Sequence, residues 1–360
     1  MKSIRRRIIP LPIIPLTISA MLSSGCDAGY FIHLAIGQLG VLTSIVPVSR
    51  ALDDPQLTDE ERHRLAITQQ VRQFGIDVVG LRGTDSYTVF HYNGMQPAAW
   101  VVSASARDSL TAYLWDYPIL GRFSTRGFFD EQFARQVGQE LLDQGYDVFL
   151  GRAAGFSTLN FFPDPVRQSN LQFDEIELAE LILHEMVHQT IFKLGDGNYN
   201  ESMATFVGRT GAQAWFDATY GANSPEAQAA RVRYADKLII DMYVNLMYAR
   251  MNAYYNNAAA RGESRETIIA NRQAEFDALR QEYLDTLEPL LQDPDFWSFL
   301  RTAPFDNARI LAAIVYQGGL GDFQAVFDKV GGDFRAALAV FDAAANQSDS
   351  RAYLRAFVQQ

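Results

Sequence analysis

The rhythm of apolar and polar positions changes three times along the chain. An apolar, Pro-interrupted run over residues 8–22 follows the basic start Lys2, Arg5, Arg6 and Arg7. Residues 30–42 are mostly apolar and predict a helix. A polar break at Asp53-Asp54-Pro55 then leads to residues 60–74, which carry the spacing of an amphipathic helix. Over residues 76–162 the texture shifts to short runs of Val, Tyr, Phe and Thr punctuated by Gly, Asp, Asn and Pro. Strands are predicted there at 77–81, 86–92, 98–103 and 146–150, with a helix over 133–143 between two of them. Beyond Asp174 the spacing is helical almost to the end. Long segments at 231–255 and 265–291, linked through Asn256-Asn257 and Gly262, predict an antiparallel helical hairpin. A sheet-bearing first half and a helical second half predict an α+β fold. The division falls near residue 173, into regions 26–173 and 174–360 that form one compact unit with a cleft between them.

Composition narrows this picture. The 360 residues are 48% hydrophobic, ample for a core, which excludes wholesale disorder. Lys plus Arg number 31 against 42 for Asp plus Glu, and no basic block follows the N-terminal segment, so nucleic acid is not the expected partner. The one cysteine, Cys26, excludes an intramolecular disulfide, a thiolate zinc cluster and a Cys-X-X-Cys pair. Residues 1–22 have the basic and apolar regions of an export signal and are too short for an ordinary span. They end in Leu22-Ser23-Ser24-Gly25-Cys26, similar to the lipobox of bacterial lipoproteins. Residues 1–25 are therefore expected to be a signal peptide, with lipid on Cys26 tethering an acidic mature chain to a membrane of the cell envelope, facing the periplasm or exterior. Ser23 stands where a lipobox usually has a large aliphatic residue, so cleavage without lipid and an uncleaved anchor are the alternatives. Asp27, next to the cysteine, favours the inner membrane. No later stretch is expected to supply the ~20 apolar residues of a second span.

The candidate chemistry lies in Leu181-Ile182-Leu183-His184-Glu185-Met186-Val187-His188, an H-E-x-x-H pattern in an apolar run without Gly or Pro, read as a helix reaching Leu194. Positions four apart share a helix face at about 6 Å, so both imidazoles can reach one ion. Glu185 sits about 100° round the helix, where its carboxylate can act on water without ligating the ion. A solvent-facing helix with its histidines paired to Glu180 and Glu185 is the plain alternative. The apolar neighbours argue against it, because they leave little exposed face.

A catalytic zinc needs a third protein ligand. Six helical residues carry the chain ~9 Å past His188, and a five-residue loop spanning up to ~16 Å can return Glu201 to the site. Glu201 could instead be a first-turn glutamate that complements its helix dipole behind an Asn200 N-cap, and Asp196 is a rival carboxylate or a shaper of the glycine turn.

His184-Glu185-Met186-Val187-His188-Gln189, followed by Gly195-Asp196-Gly197-Asn198-Tyr199-Asn200-Glu201-Ser202-Met203-Ala204, resembles the bacterial Putative aminopeptidase family of gluzincin-type metallopeptidases. So do Trp115-Asp116-Tyr117-Pro118, Arg126-Gly127-Phe128-Phe129, Gly145-Tyr146-Asp147-Val148, Phe156-Ser157-Thr158-Leu159 with Asp164-Pro165, and Asn307-Ala308-Arg309 with Tyr316. The resemblance covers most of the mature chain. It implies a zincin-like fold, one zinc ion held by His184, His188 and Glu201, and peptide hydrolysis with Glu185 as general base and then proton donor. It also suggests Tyr316 as oxyanion donor, with a core tyrosine as the alternative, and Ser157 and Thr158 on a substrate-pairing edge strand, with an ordinary internal strand as the alternative. Gly197 and Gly208 depart from residues common in the family, Thr and an acid, and the second touches the surroundings of the ligands.

The functional expectation is a zinc metallopeptidase of aminopeptidase type with a peptide as its substrate. Two rivals stand beside it: an envelope lipoprotein with a structural metal and a partner-binding cleft, and a hydrolase of a non-peptide amide. Intact Glu185 favours catalysis, since structural zinc has no use for that carboxylate. His33, His63 and His91 are isolated, and the tyrosines 243, 248, 254 and 255 read as core and cleft wall.

Overall fold

A computed structural model describes residues 28–117, 121–155 and 162–360. Cys26, the signal segment, Ser157 and Thr158 lie outside the described residues. The chain separates into two compact units, Met1–Ser44 and Ile45–Gln360. The described part of the first is one helix, α1 (Ala28–Ser44).

The second unit is mixed α+β with a helical C-terminal half. It runs β1 (Ile45–Pro47), α2 (Val48–Leu52), α3 (Asp59–Phe74), β2 (Val89–His91), β3 (Ala99–Ala106), β4 (Trp115–Tyr117), β5 (Gly121–Phe123), β6 (Thr125–Phe128), α4 (Glu131–Asp143), β7 (Tyr146–Ala153) and β8 (Val166–Arg167). Helices follow: α5 (Glu175–Thr190), α6 (Gly197–Tyr220), α7 (Pro225–Ala260), α8 (Arg265–Glu282), α9 (Asn307–Gln317), α10 (Leu320–Lys329), α11 (Phe334–Ala345) and α12 (Ser350–Gln359). Among the described residues the sheets are small, ordered β1-β2-β8, β6-β3-β7 and β4-β5. The longest ladder pairs β3 with β7 antiparallel, from Ala99 opposite Ala153 to Ala106 opposite Tyr146. In the first sheet β2 and β8 run parallel, with Phe90 opposite Val166 and His91 opposite Arg167.

Two apolar cores fill this unit. The first gathers α3, α5, α6 and α10 to α12 around Leu183, Met203, Trp215 and Phe341. The second lies between α7, α8 and α9, around Tyr243, Met251, Phe276 and Tyr283. A fully buried side chain of this size contributes about 1.5–3 kcal/mol, so α5, with Leu178, Ile182, Leu183 and Val187 all inside, is strongly held.

Four expectations are corrected. The segment read as a strand at 77–81 instead widens the end of α3 into a π turn, Gly75–Val79. The amides of Gly80 and Leu81 both donate to the Gly75 carbonyl, and Gly80 closes the turn at φ 90°. A Cβ on Gly75 would lie 2.9 Å from Leu183 Cδ2, so close packing on α5 outweighs the β-propensity of Val78 and Val79. The helix read over 265–291 stops at Glu282, and a π turn and a 3-10 turn carry the rest. The helix read to Leu194 ends at Thr190, where Ile191 turns extended. Finally, Asn307–Lys329 is as long and apolar as a membrane span, with mean hydropathy 1.3, although Gly318 and Gly319 divide it into α9 and α10.

Candidate metal centre

Helix α5 owes its start to a capping box: Asp174 accepts from the Glu177 amide at 2.8 Å, and Glu177 accepts from the Asp174 amide at 3.4 Å. From there its turns bring His184 and His188 onto one face, their rings 4.9 Å apart edge to face. The loop that follows is held by Asn200, which accepts from the Lys193 amide and donates to the Lys193 carbonyl, both at 2.8 Å. Asp196 caps α6 by accepting from the Tyr199 amide at 3.0 Å. Asn200 is therefore not the N-cap; from inside the first turn of α6 it clamps the loop that returns Glu201 to the histidines. Asp196, the rival carboxylate, is engaged in the cap and in an ion pair with Lys193 at 3.7 Å.

His184 Nε2 lies 3.2 Å from His188 Nε2 and 3.2 Å from Glu201 Oε2, and His188 Nε2 lies 3.6 Å from Glu201 Oε1. These three side chains are a group that could hold a metal ion. One ring N–H on His184 can serve only one of its two close neighbours, which leaves lone pairs facing one another. A four-coordinate divalent ion bonded at about 2.0–2.1 Å requires donors about 3.3 Å apart, so the donor set fits such an ion. His188 Nδ1 is buried and has no partner among the described residues.

Charge is concentrated here. Burial would raise the Glu201 carboxyl, but the charges and hydrogen bonds of His188 and His184 outweigh it and hold it well below the usual carboxylate range. Burial alone would depress His188; Glu201 and Glu185 reverse this and raise it above the ordinary imidazole value.

The helices can approach this closely because α6 carries glycines at the crossing. A Cβ on Gly208 would lie 3.0 Å from the Glu180 carbonyl oxygen and 3.2 Å from His184 Cβ; one on Gly211 would lie 3.0 Å from Leu183 Cδ1. No acidic side chain fits at 208. One turn before His184, Glu180 pairs with Arg209 at 3.3 Å and with Lys237, and Arg209 also pairs with Asp241, which ties α6 and α7 to α5.

Glu185 is 9% exposed, and a Cβ on Gly155 would fall 2.1 Å from its Oε1. The chain leaving β7 thus lies against this carboxylate at Gly155. Sequence reasoning passed over Gly155, although a glycine ending a strand can mark such an approach. Tyr316, near the end of α9, is 46% exposed rather than a core residue, and its ring centroid lies 6.3 Å from that of His184. The negative charge of Glu201, then burial, then Glu185 push its phenol up. Ser202, next to Glu201, donates toward the Gly318 and Asn198 carbonyls at 2.8 and 2.7 Å, joining α6 to the end of α9.

The structure therefore brings His184, His188, Glu201, Glu185 and Tyr316 together. Of the other histidines in this unit, His63 pairs with Glu175 at 3.0 Å on the surface, and His91 lies on β2. No curated protein and no solved structure matches the chain. One family model does match, and its description names an aminopeptidase, a hydrolase of peptides. Its match runs over residues 29–353, and the chain belongs to that family, Putative aminopeptidase.

Proposed function

We propose that the chain is a zinc-dependent peptidase of zincin-like build, with His184, His188 and Glu201 as ligands and Glu185 as general base. The observation that carries this reading is the convergence of two imidazole nitrogens and a carboxylate within 4.8 Å of one another, one residue from a second, non-ligating carboxylate. Nitrogen and oxygen donors in this number favour zinc, and the ion when bound supplies Lewis acidity for the scissile carbonyl and lowers the pKa of water.

The remaining steps belong to the chain's own residues. Glu185 accepts a proton from the attacking water as its oxygen bonds to the carbonyl carbon, then hands that proton to the amine nitrogen as the C–N bond breaks. The second proton of the water passes from the new carboxyl group to the released amine, so the products are a carboxylate and an ammonium group. Tyr316, partly exposed beside His184, donates a hydrogen bond to the carbonyl oxygen as charge grows there. The backbone at Gly155 holds the Glu185 carboxylate on one side and leaves no room for a side chain. With lipid on Cys26, this site would act on peptides outside the cytoplasm.

The test is hydrolysis of aminoacyl derivatives and of internally quenched peptides by the mature chain and by Glu185→Gln. The expected result is bound zinc in both, with turnover falling about 10³-fold in the variant. Preference for the first panel marks an aminopeptidase and preference for the second an endopeptidase. Zinc in both with equal turnover, or with none in either, would overturn the reading.

A further inference from the structure

Resting on that peptidase reading, we infer that Arg167 and Tyr87 form a subsite beside Glu185 that binds a carboxylate of the substrate. Arg167 is 4% exposed and Tyr87 is 5% exposed. Burying a guanidinium without a partner is costly, and a buried phenol usually finds one as well. Among the described residues, no acid comes within 4.0 Å of the Arg167 guanidinium. Among the described residues neither that group nor the Tyr87 hydroxyl makes a hydrogen bond, although the backbone amides of both residues do. By contrast Arg272, also buried, is satisfied by both oxygens of Asp147 at 2.6 and 2.7 Å. None of the Arg167 nitrogens is among the fully enclosed, unpartnered atoms, such as Arg233 Nη1 and Arg309 Nε, so the group still borders open space.

Two chains of contact bring this pair to the Glu185 side of α5. The Arg167 amide donates to Asn170 Oδ1, Asn170 Nδ2 donates to the Ala154 carbonyl, and the next residue, Gly155, lies against the Glu185 carboxylate. On the other side the Tyr87 amide donates to the Asp164 carbonyl at 2.7 Å. Asp164 Oδ2 accepts from Gln189 Nε2 at 3.0 Å, and Gln189 stands one turn after Glu185. Tyr87 reaches its place at φ 62°, the only non-glycine residue with positive φ among those described. Backbone held in this region costs about 1 kcal/mol or more and collects at functional sites. Burial first, then the charges of Glu185 and Asp164, push the Tyr87 phenol up against the opposing charge of Arg167, and the charges of the same two acids act on the Arg167 guanidinium from beyond ion-pair distance.

A guanidinium offers paired N–H donors that match a carboxylate, and the phenol adds a third donor. Two substrate sources carry this group, the C-terminus of a short peptide and an acidic side chain. The first pair of test substrates is alanyl-phenylalanine and its C-terminal amide. The second is alanyl-glutamate amide and alanyl-glutamine amide. Hydrolysis is measured with the zinc-loaded mature chain, and binding by calorimetry with zinc-loaded Glu185→Gln.

A charge-assisted contact of this kind predicts a preference of about 10- to 100-fold for the carboxylate member of one pair, in kcat/KM and in Kd. The pair that shows it identifies the source. Arg167→Gln should reduce the preference to within about threefold, Arg167→Lys should keep part of it, and Tyr87→Phe should reduce it about fivefold. Thermal melts report whether Arg167→Gln folds; if it does not, Tyr87→Phe and the wild-type substrate pairs decide alone. Equal treatment of both members of both pairs by an active enzyme overturns the subsite and leaves the peptidase reading standing. Undiminished preference in folded variants also overturns it. Carboxylate-selective binding without turnover of any peptide supports the subsite and refutes the peptidase reading.

Discussion

The two apolar cores of residues 45–360 are built on different principles, and the candidate site draws on both. Around α5 and α6 the first core is close-packed helix on helix, with Gly75, Gly208 and Gly211 at points where an added methyl group would meet a neighbour within 3.0 Å. The second core is ring-rich and anchored by polar contacts. Tyr243 stacks on Tyr283 at 4.8 Å, Tyr255 donates to Asn307 at 2.8 Å, and Arg272 is locked on Asp147. All three side chains that could hold an ion stand on the first core's helices. The second core contributes Tyr316 through α9, whose Ile310 is packed inside it. Ion binding should therefore answer to the first region, and transition-state stabilisation partly to the second.

That division can be broken in four ways. The largest effect is expected from Glu201→Ala: the ion is lost on desalting, and with it Lewis acidity worth several kcal/mol, so turnover falls by about 10³-fold or more. Elemental analysis and the peptide assay check this together. Phe276→Ala empties the second core and should cost about 3–5 kcal/mol in urea unfolding while the folded protein keeps its zinc stoichiometry. Loss of zinc from folded Phe276→Ala would show that the cores are not separable. Tyr316→Phe should lower kcat about 10²-fold with metal content unchanged.

The smallest effect concerns pH. Burial, then the charge of Arg167, lowers the His91 imidazole to about 4. The unfolded chain, with an ordinary histidine near 6.5, binds this proton first. His91 therefore contributes stability that is complete above about pH 6.5 and is lost as pH falls toward 4. His91→Gln should make urea midpoints less sensitive to pH across that window, and an unchanged slope would contradict the assignment.

What was legible in the sequence follows from locality. Helix α5 announces itself by its capping residues, its apolar run and the four-residue histidine spacing, all properties of contiguous positions. Glu201 was reachable by arithmetic on helix rise and loop length, even though the helix ends at Thr190 and the loop is longer than expected. The segment after Gly75 misled because Val78 and Val79 favour strand locally, whereas packing against Leu183 and Met186 decides the outcome. Asn200 and Arg167 carried no readable signal of their places, and Gly155 carried only the general one of a glycine at a strand end. Each acts on a group far along the chain or across a loop, and Arg167 sits in a two-residue strand with no periodicity to interpret.

The central claim is that residues on α5 and α6 jointly hold one ion. Calorimetric titration of metal-free mature protein with zinc tests it most directly, in wild type and in His188→Ala. One tight site per chain is expected in the wild type, and its loss in the variant. Absence of zinc binding in the wild type, or the same affinity in both, would contradict it.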